Sequence, residues 1–202
     1  AVLSTAAWAS ETPTSVSTES ELTTALGDTA VTSIQLKGNI DISNTLVVTK
    51  DVTLDLNGFV LQHENRDAND SVIKIESGTL TLVDSNPDAI HKFVKEATGL
   101  WTLNENAGTE IVKGGVITGG TGSTYKYNND IGQIVYNDCG GGVFVAPGAS
   151  FIMEGGNIVG CSAGKSGGGK YGGLWRGELL DVHNRNGCGL VHGRKRYCTY
   201  NG

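Results

Sequence analysis

The chain has 202 residues, among them 30 glycines and only 3 prolines, and carries a formal net charge of −6. That length can bury a sizeable core, and a glycine share about twice the usual ~7% with so little proline argues for many tight turns rather than collagen or a Pro-rich linker. Residues 170–202 hold six basic and two acidic side chains, which leaves a balance of −10 on residues 1–169; an acidic body argues against nucleic-acid binding, and no apolar run reaches the ~18 residues of a transmembrane helix.

Residues 1–17 read as a signal-peptide remnant and a polar lead. "AVLSTAAWAS" is apolar and rich in small residues, with Ala7-Trp8-Ala9 placed as a cleavage site before Ser10. This predicts export, an extracellular or cell-surface location, and a compartment that permits disulfides. "TESELTTALGD" follows. Thr18 and Glu21 make a capping box, Leu22, Ala25 and Leu26 share one helical face, and Gly27 supplies a stop. A short helix here is expected to cover the open end of the apolar core that begins at Ile34.

From Ile34 the period becomes two. "SIQLKGNIDI", "DVTLDLNGFVL" and "SVIKIESGTLTLVDS" alternate apolar with polar residues. Leu54, Ile75 and Ile117 are expected to point inward, and Thr53, Lys74 and Thr118 outward. Gly38, Gly58 and Gly78 lie twenty residues apart, and "GGVITG" (114–119) matches "GGNIVG" (155–160) at the glycines and at Ile117 and Ile158. Short strand–turn–strand units at a near-constant period predict a solenoid of parallel strands, with no room for crossover helices. An antiparallel β-sandwich is the competing reading. Residues 86–110 and 121–138 break the rhythm and read as loops thrown out from the body, where repeat proteins place binding surface.

These residues resemble a known architecture. "VTSIQLKGNIDISNTLVVTKDVTLDLNGFVLQ", "GTLTLVDS" and "GGGVFVAPGASFIMEGGNIVGCSA" are similar to the pectin-lyase-like right-handed parallel β-helix of secreted bacterial adhesin-like surface proteins. The resemblance implies an all-β fold, a right-handed parallel β-helix over residues 18–169 with a short N-terminal capping helix. It leaves function open, since such folds serve lyases, hydrolases, adhesins and passive stalks alike. Residues 170–202 depart from the pattern. They form an irregular basic tail, either a different terminal module or a non-native, frame-shifted segment, expected to pack little on the body and to be clipped by protease near Gly167 to Gly173.

Catalysis in this frame would need clustered carboxylates and a base. Asp51, Asp55, Asp84 and Asp88 are candidate acids and Lys74 and Lys113 candidate bases, while Arg66 is the sole arginine of residues 1–169. Asp67 and Asp70 read as solvated turn residues. His183, Cys188, His192 and Cys198 do not have zinc-finger spacing. "GCSAGKS" and "GGGKYG" lack the spacing or the frame of a phosphate loop. No catalytic residue, metal or cofactor is therefore expected. Cys139 and Cys161 read as buried small apolar residues, or as a bridge. Trp101, Tyr125, Tyr127 and Tyr136 fall in or beside the two insertions and are the candidate ligand-binding residues, suited to stacking on sugar rings or docking a protein, or else to covering the flank of the body. The partner expected is a glycan or a host or cell-surface protein, without a membrane span. A non-catalytic surface module is the leading reading, a polysaccharide lyase or glycoside hydrolase the alternative, and a passive spacer the third.

Overall fold

A computed structural model describes residues 12–64, 70–97, 99–128, 134–163, 170–171 and 174–176, with 123–128, 134–139, 170–171 and 174–176 as backbone only. The chain is rich in strands and has one helix among the described residues. In order come β1 (Thr14–Val16), α1 (Glu19–Gly27), β2 (Ser33–Leu36), β3 (Ile40–Ile42), β4 (Leu46–Val48), β5 (Val52–Asp55), β6 (Val60–His63), β7 (Ile73–Ile75) and β8 (Thr79–Val83). Then follow β9 (Ile90–Lys95), β10 (Trp101–Leu103), β11 (Glu110–Lys113), β12 (Val116–Thr118), β13 (Ser123–Asn128), β14 (Ile134–Cys139), β15 (Val143–Val145), β16 (Ser150–Met153), β17 (Asn157–Ile158), β18 (Lys170–Tyr171) and β19 (Leu174–Arg176).

Three parallel sheets make the body. The first has the order β1-β2-β5-β8-β16-β19, the second β3-β6-β12-β17 and the third β4-β7-β15-β18. From β2 onward the chain visits first, second and third sheets in fixed rotation, and each return adds the next strand. Two antiparallel units interrupt it. The sheet β10-β9-β11 lies between β8 and β12, and the hairpin β13-β14 between β12 and β15.

Period-two alternation sets which side chains meet. Ile34 pairs with Leu54 and Leu54 with Leu82 in the first sheet. Ile40 pairs with Leu61, Leu61 with Ile117 and Ile117 with Ile158 in the second. Leu46 pairs with Ile73 and Ile73 with Val143 in the third. All of these side chains are buried in one apolar cluster. A one-residue slip in any strand would turn its apolar set to water, so register and burial enforce each other. The "GGVITG" and "GGNIVG" segments pair as their sequences align, Ile117 on Ile158.

The twenty-residue glycine spacing has a different origin from a single repeated corner. Gly38 and Gly58 follow strands of the first sheet, whereas Gly78 precedes one. Gly58 and Gly78 hold φ of 76° and 74°, and Gly38 is not left-handed. At Gly78 a Cβ would sit 2.4 Å from the Lys50 carbonyl carbon, so both conformation and close approach require glycine there. The spacing between stacked strands grows from 20 residues (Ile34 to Leu54) to 28 (Leu54 to Leu82) in the first sheet.

Helix α1 starts where the capping signal lies. Thr18 Oγ1 accepts from the Glu21 amide at 3.2 Å, and Glu21 Oε2 accepts from the Ser17 amide at 2.7 Å. Leu22, Ala25 and Leu26 are buried in the same cluster as Ile34, Ile40 and Ile42. Gly27 is the last helical residue and Asp28 the C-cap. The end is closed by Lys50, whose Nζ donates to the carbonyls of Ala25 at 3.0 Å, Val31 at 2.6 Å and Asp28. Two stretches without alternation are nonetheless strands. Thr14–Val16 of the polar lead pairs in parallel with β2. Past Gly169, β18 pairs with β15 and β19 with β16, so the parallel pattern runs on into the basic segment. Parallel pairing needs backbone donors and acceptors first and alternation only where a face is buried. Residues 177–202, and with them the His183, Cys188, His192 and Cys198 quartet, lie outside the described residues, as do residues 1–11 with the cleavage-site reading.

Leu54, Ile75 and Ile117 are buried as expected, and Thr53 and Lys74 are partly exposed. Thr118 is not exposed. It occupies an outward position yet is fully buried, and its Oγ1 has no hydrogen-bond partner. His63, inside the stack beside Ile42, is likewise fully buried with neither ring nitrogen partnered. A buried hydroxyl without a partner costs ~1–3 kcal/mol. The Thr118→Val variant, nearly isosteric, is expected to raise the unfolding free energy by about 1 kcal/mol in urea melts; an unchanged or lower midpoint would show that the hydroxyl is satisfied in solution.

Candidate functional site

Part of the second sheet is apolar on both faces. Leu61, Ile117 and Ile158 point into the body, while Val60, Val116 and Val159 form a second cluster with Phe93 and Val112, against which Trp101 and Leu103 pack. Residues 86–110, read from sequence as a loop, instead supply most of a folded three-stranded sheet, β10-β9-β11, lying on the flank of the body. The signal was present in "FVLQ", "GVIT" and "NIVG", continuous apolar pairs where a one-faced strand would alternate.

Hydrogen bonds fix this sheet to the body. Asp84 Oδ1 accepts from the Gly58 amide and Oδ2 from the Gly115 amide, each at 2.7 Å. The Gly114 amide donates to the Ala89 carbonyl at 2.8 Å. Buried His91 places Nε2 2.9 Å from the Gly58 carbonyl and Nδ1 2.8 Å from Glu105 Oε1, whose Oε2 accepts from the Lys92 amide at 3.0 Å. Sequence reading assigned His91 no role.

Where the flank sheet meets β3 and β6, an open depression of about 320 Å³ is lined by Asn39, Asp41, Gln62 and Glu64 over Val60 and Leu103. Asp41 stands opposite Gln62 in register. Asp41 and Glu64 are exposed and Gln62 half-exposed, so carboxylate acceptors and an amide stand beside an apolar ledge. A second depression, about 380 Å³, lies over the polar face of α1 and is lined by Glu19, Ser20, Thr23, Thr24, Asn44 and Thr45. Glu19 is already committed there, accepting from the Ser43 and Asn44 amides at 3.1 Å.

The candidate aromatics stand on two separate units, the flank sheet and the β13-β14 hairpin. Trp101 is half-buried, its ring 6.3 Å from Phe93 and tilted by 43°; it packs toward the body beneath the flank sheet. Tyr125, Tyr127 and Tyr136 lie on the β13-β14 hairpin, where the backbone register sets them opposite Asn137, Val135 and Lys126.

The candidate acids are occupied by backbone donors. Asp51 Oδ1 accepts from the Thr79 amide at 2.8 Å. Asp55 Oδ1 accepts from the Asn57 and Ser85 amides at 2.8 and 2.9 Å, and its Oδ2 from Gln35 Nε2 at 2.7 Å. Asp84 bridges two turns as described. Lys74 pairs with Glu76 at 2.7 Å, and Lys113 and Asp88 are exposed. Arg66 and Asp67 lie outside the described residues. Cys161 is a buried thiol whose Sγ lies 3.7 Å from the Val159 carbonyl oxygen, while Cys139 stands on the hairpin backbone opposite Ser123. Among the described residues no three His, Cys, Asp or Glu side chains gather to hold a metal, and no helix is long and apolar enough to cross a membrane. No protein-family model, no curated protein and no solved structure matches the chain.

Burial acts to raise the pKa of Asp55, but the bonds from Gln35, from the Ser85 hydroxyl and amide, and from the Asn57 amide outweigh it and hold the carboxyl below its usual value. A lowered folded-state pKa stabilises the fold above the unfolded value near ~3.9, and that contribution is lost as pH falls through the folded value. The Asp55→Asn variant is expected to be less stable at neutral pH, with the gap to wild type closing below about pH 4 in thermal melts. A gap that stays constant through the acid limb would assign the loss to shape rather than charge.

Proposed function

We propose that the chain is a parallel β-helix module of an exported bacterial cell surface, akin to the pectin-lyase-like right-handed helices, and that it binds a glycan without cleaving it. The fixed rotation of the chain through three parallel sheets supports the architecture, since it adds one strand to each sheet per circuit. Right-handedness follows from the general rule for parallel crossover connections.

The observation that carries the functional reading is the depression beside β6. Its carboxylates and amides are the groups that hydrogen-bond sugar hydroxyls, and Val60 and Leu103 supply an apolar floor. It is shallow and open, so it cannot enclose a small molecule as a reactive pocket does. It suits a chain ligand held weakly along its length and made tight by repetition on a surface. Hydrolysis would ask for more. A catalytic acid must be able to exchange its proton at one reacting atom, and Asp51, Asp55 and Asp84 are spent on turn amides instead. The tyrosines of β13 and β14 extend the same reading to the hairpin.

A glycan array is expected to give signals that fall at least about fivefold, roughly 1 kcal/mol, in Asp41→Ala and Gln62→Ala, with a smaller fall in Tyr127→Ala. Incubation with polygalacturonate, with and without Ca²⁺, is expected to leave the unsaturated-sugar absorbance flat. A steady rise that is abolished by Asp84→Asn would overturn the reading in favour of a lyase.

A further inference from the structure

The flank sheet has an outer face that the glycan reading does not use. Its inner positions, His91 and Phe93 on β9 and Val112 on β11, are buried against the body. The alternate positions face away: Ile90, Lys92 and Val94 on β9, Ile111 and Lys113 on β11, and Thr102 on β10. The antiparallel register sets Lys92 opposite Ile111 and Ile90 opposite Lys113, so isoleucine and lysine occupy opposite diagonals of one patch. Ile90 is 55% exposed and Ile111 62%, the two most exposed large apolar side chains among the described residues. Lys92 and Lys113 are exposed, and neither is in an ion pair among those residues. None of these outward positions carries a carboxylate. Glu96, just past the end of β9, is bonded to the Thr102 hydroxyl at 2.6 Å.

We infer that this outer face docks an acidic protein segment that carries aliphatic side chains. Two observations commit it to that occupant. Charge is the first. Residues 1–169 are acidic overall at −10, yet this patch presents two ammonium groups that no carboxylate among the described residues pairs, and these select an anionic partner and repel another copy of the cationic face. Shape is the second. The apolar groups here are branched aliphatics, which pack against other aliphatic side chains, and unlike in the depression beside β6 no carboxylate or amide side chain stands among these outward positions to bond sugar hydroxyls. Covering two isoleucines that each stand more than half in water supplies the affinity, and the lysines set orientation and rate.

The test uses the full chain and a synthetic peptide mixing leucine and glutamate, with polyglutamate and polygalacturonate as comparison probes, read by fluorescence anisotropy. The leucine–glutamate peptide is expected to bind more tightly than either comparison probe. The Ile90→Ser/Ile111→Ser double variant should weaken it at least about tenfold, and Lys92→Glu/Lys113→Glu at least as much, with the salt dependence lost. Both pairs are solvent-exposed, and unchanged circular dichroism will certify the fold. Equal binding of polygalacturonate would reassign the face to an acidic glycan. No binding of the peptide, or binding untouched by either double variant, would remove the inference. The Asp41→Ala and Gln62→Ala variants should bind the peptide as wild type does, which separates this outcome from that of the glycan site.

Discussion

The structure depends on one constraint, that a parallel strand must place its inward side chain on the inward side chain of the strand below. Leu54 between Ile34 and Leu82, and Ile117 between Leu61 and Ile158, show it. Strands of three or four residues have almost no independent stability. They persist because interior strands such as β5, β6 and β7 pair on both edges and cover their neighbours' apolar surface at the same time. The helix is recruited to the same end, with Leu22 and Leu26 burying the side of the stack that the first strands leave open.

Turns between the sheets are the weak points of such a design, because they break the backbone ladder where the chain is crowded. The molecule answers with side-chain oxygens. Asp51, Asp55 and Asp84 each reach to the amide of a residue 26 to 31 positions away, and Asn39 Oδ1 accepts from the Val60 amide at 2.9 Å. Charge-assisted bonds of this kind contribute ~1.5–3 kcal/mol each, more than neutral ones. The acids that would attract notice as catalytic candidates thus hold one circuit of chain to the next. The acids left in water, Asp41 and Glu64, stand on a sheet face as binding groups would.

The second sheet differs from the other two in carrying a second apolar cluster on part of its outer face, and that difference organises the surface. Val60, Val116 and Val159 receive Phe93 and Val112 of the flank sheet. Docking that sheet creates the depression at Leu103 on one side and turns Ile90 and Ile111 to water on the other. Two surfaces of unlike chemistry, one acidic and rich in hydrogen-bonding groups, the other cationic and aliphatic, follow from a single packing decision.

Much of the strand architecture was legible. The capping box at Thr18, the alternation from Ile34 to Leu82, and the paired glycine hexapeptides each mapped onto an element or a register. Three features were not. Val16 and the residues after Gly169 pair through their backbones, and backbone bonding leaves no trace in side-chain alternation. Thr118 reads as an exposed polar residue because nothing local reports that a segment fifteen or more positions earlier lies over it. Trp101 could read as free for a ligand or as a cover for the flank, and only its packing on Phe93 turned it toward the body. Local sequence determined which residues could be strand, turn or helix and which side of each strand is apolar, since those follow from periods of two and 3.6 and from the steric freedom of glycine. Only the tertiary structure decided which carboxylates remain free, which faces stay wet, and where Asn39, Asp41, Gln62 and Leu103 meet. Those outcomes depend on contacts between residues tens of positions apart, and the free energy of such contacts resides in burial and pairing that no single segment possesses alone.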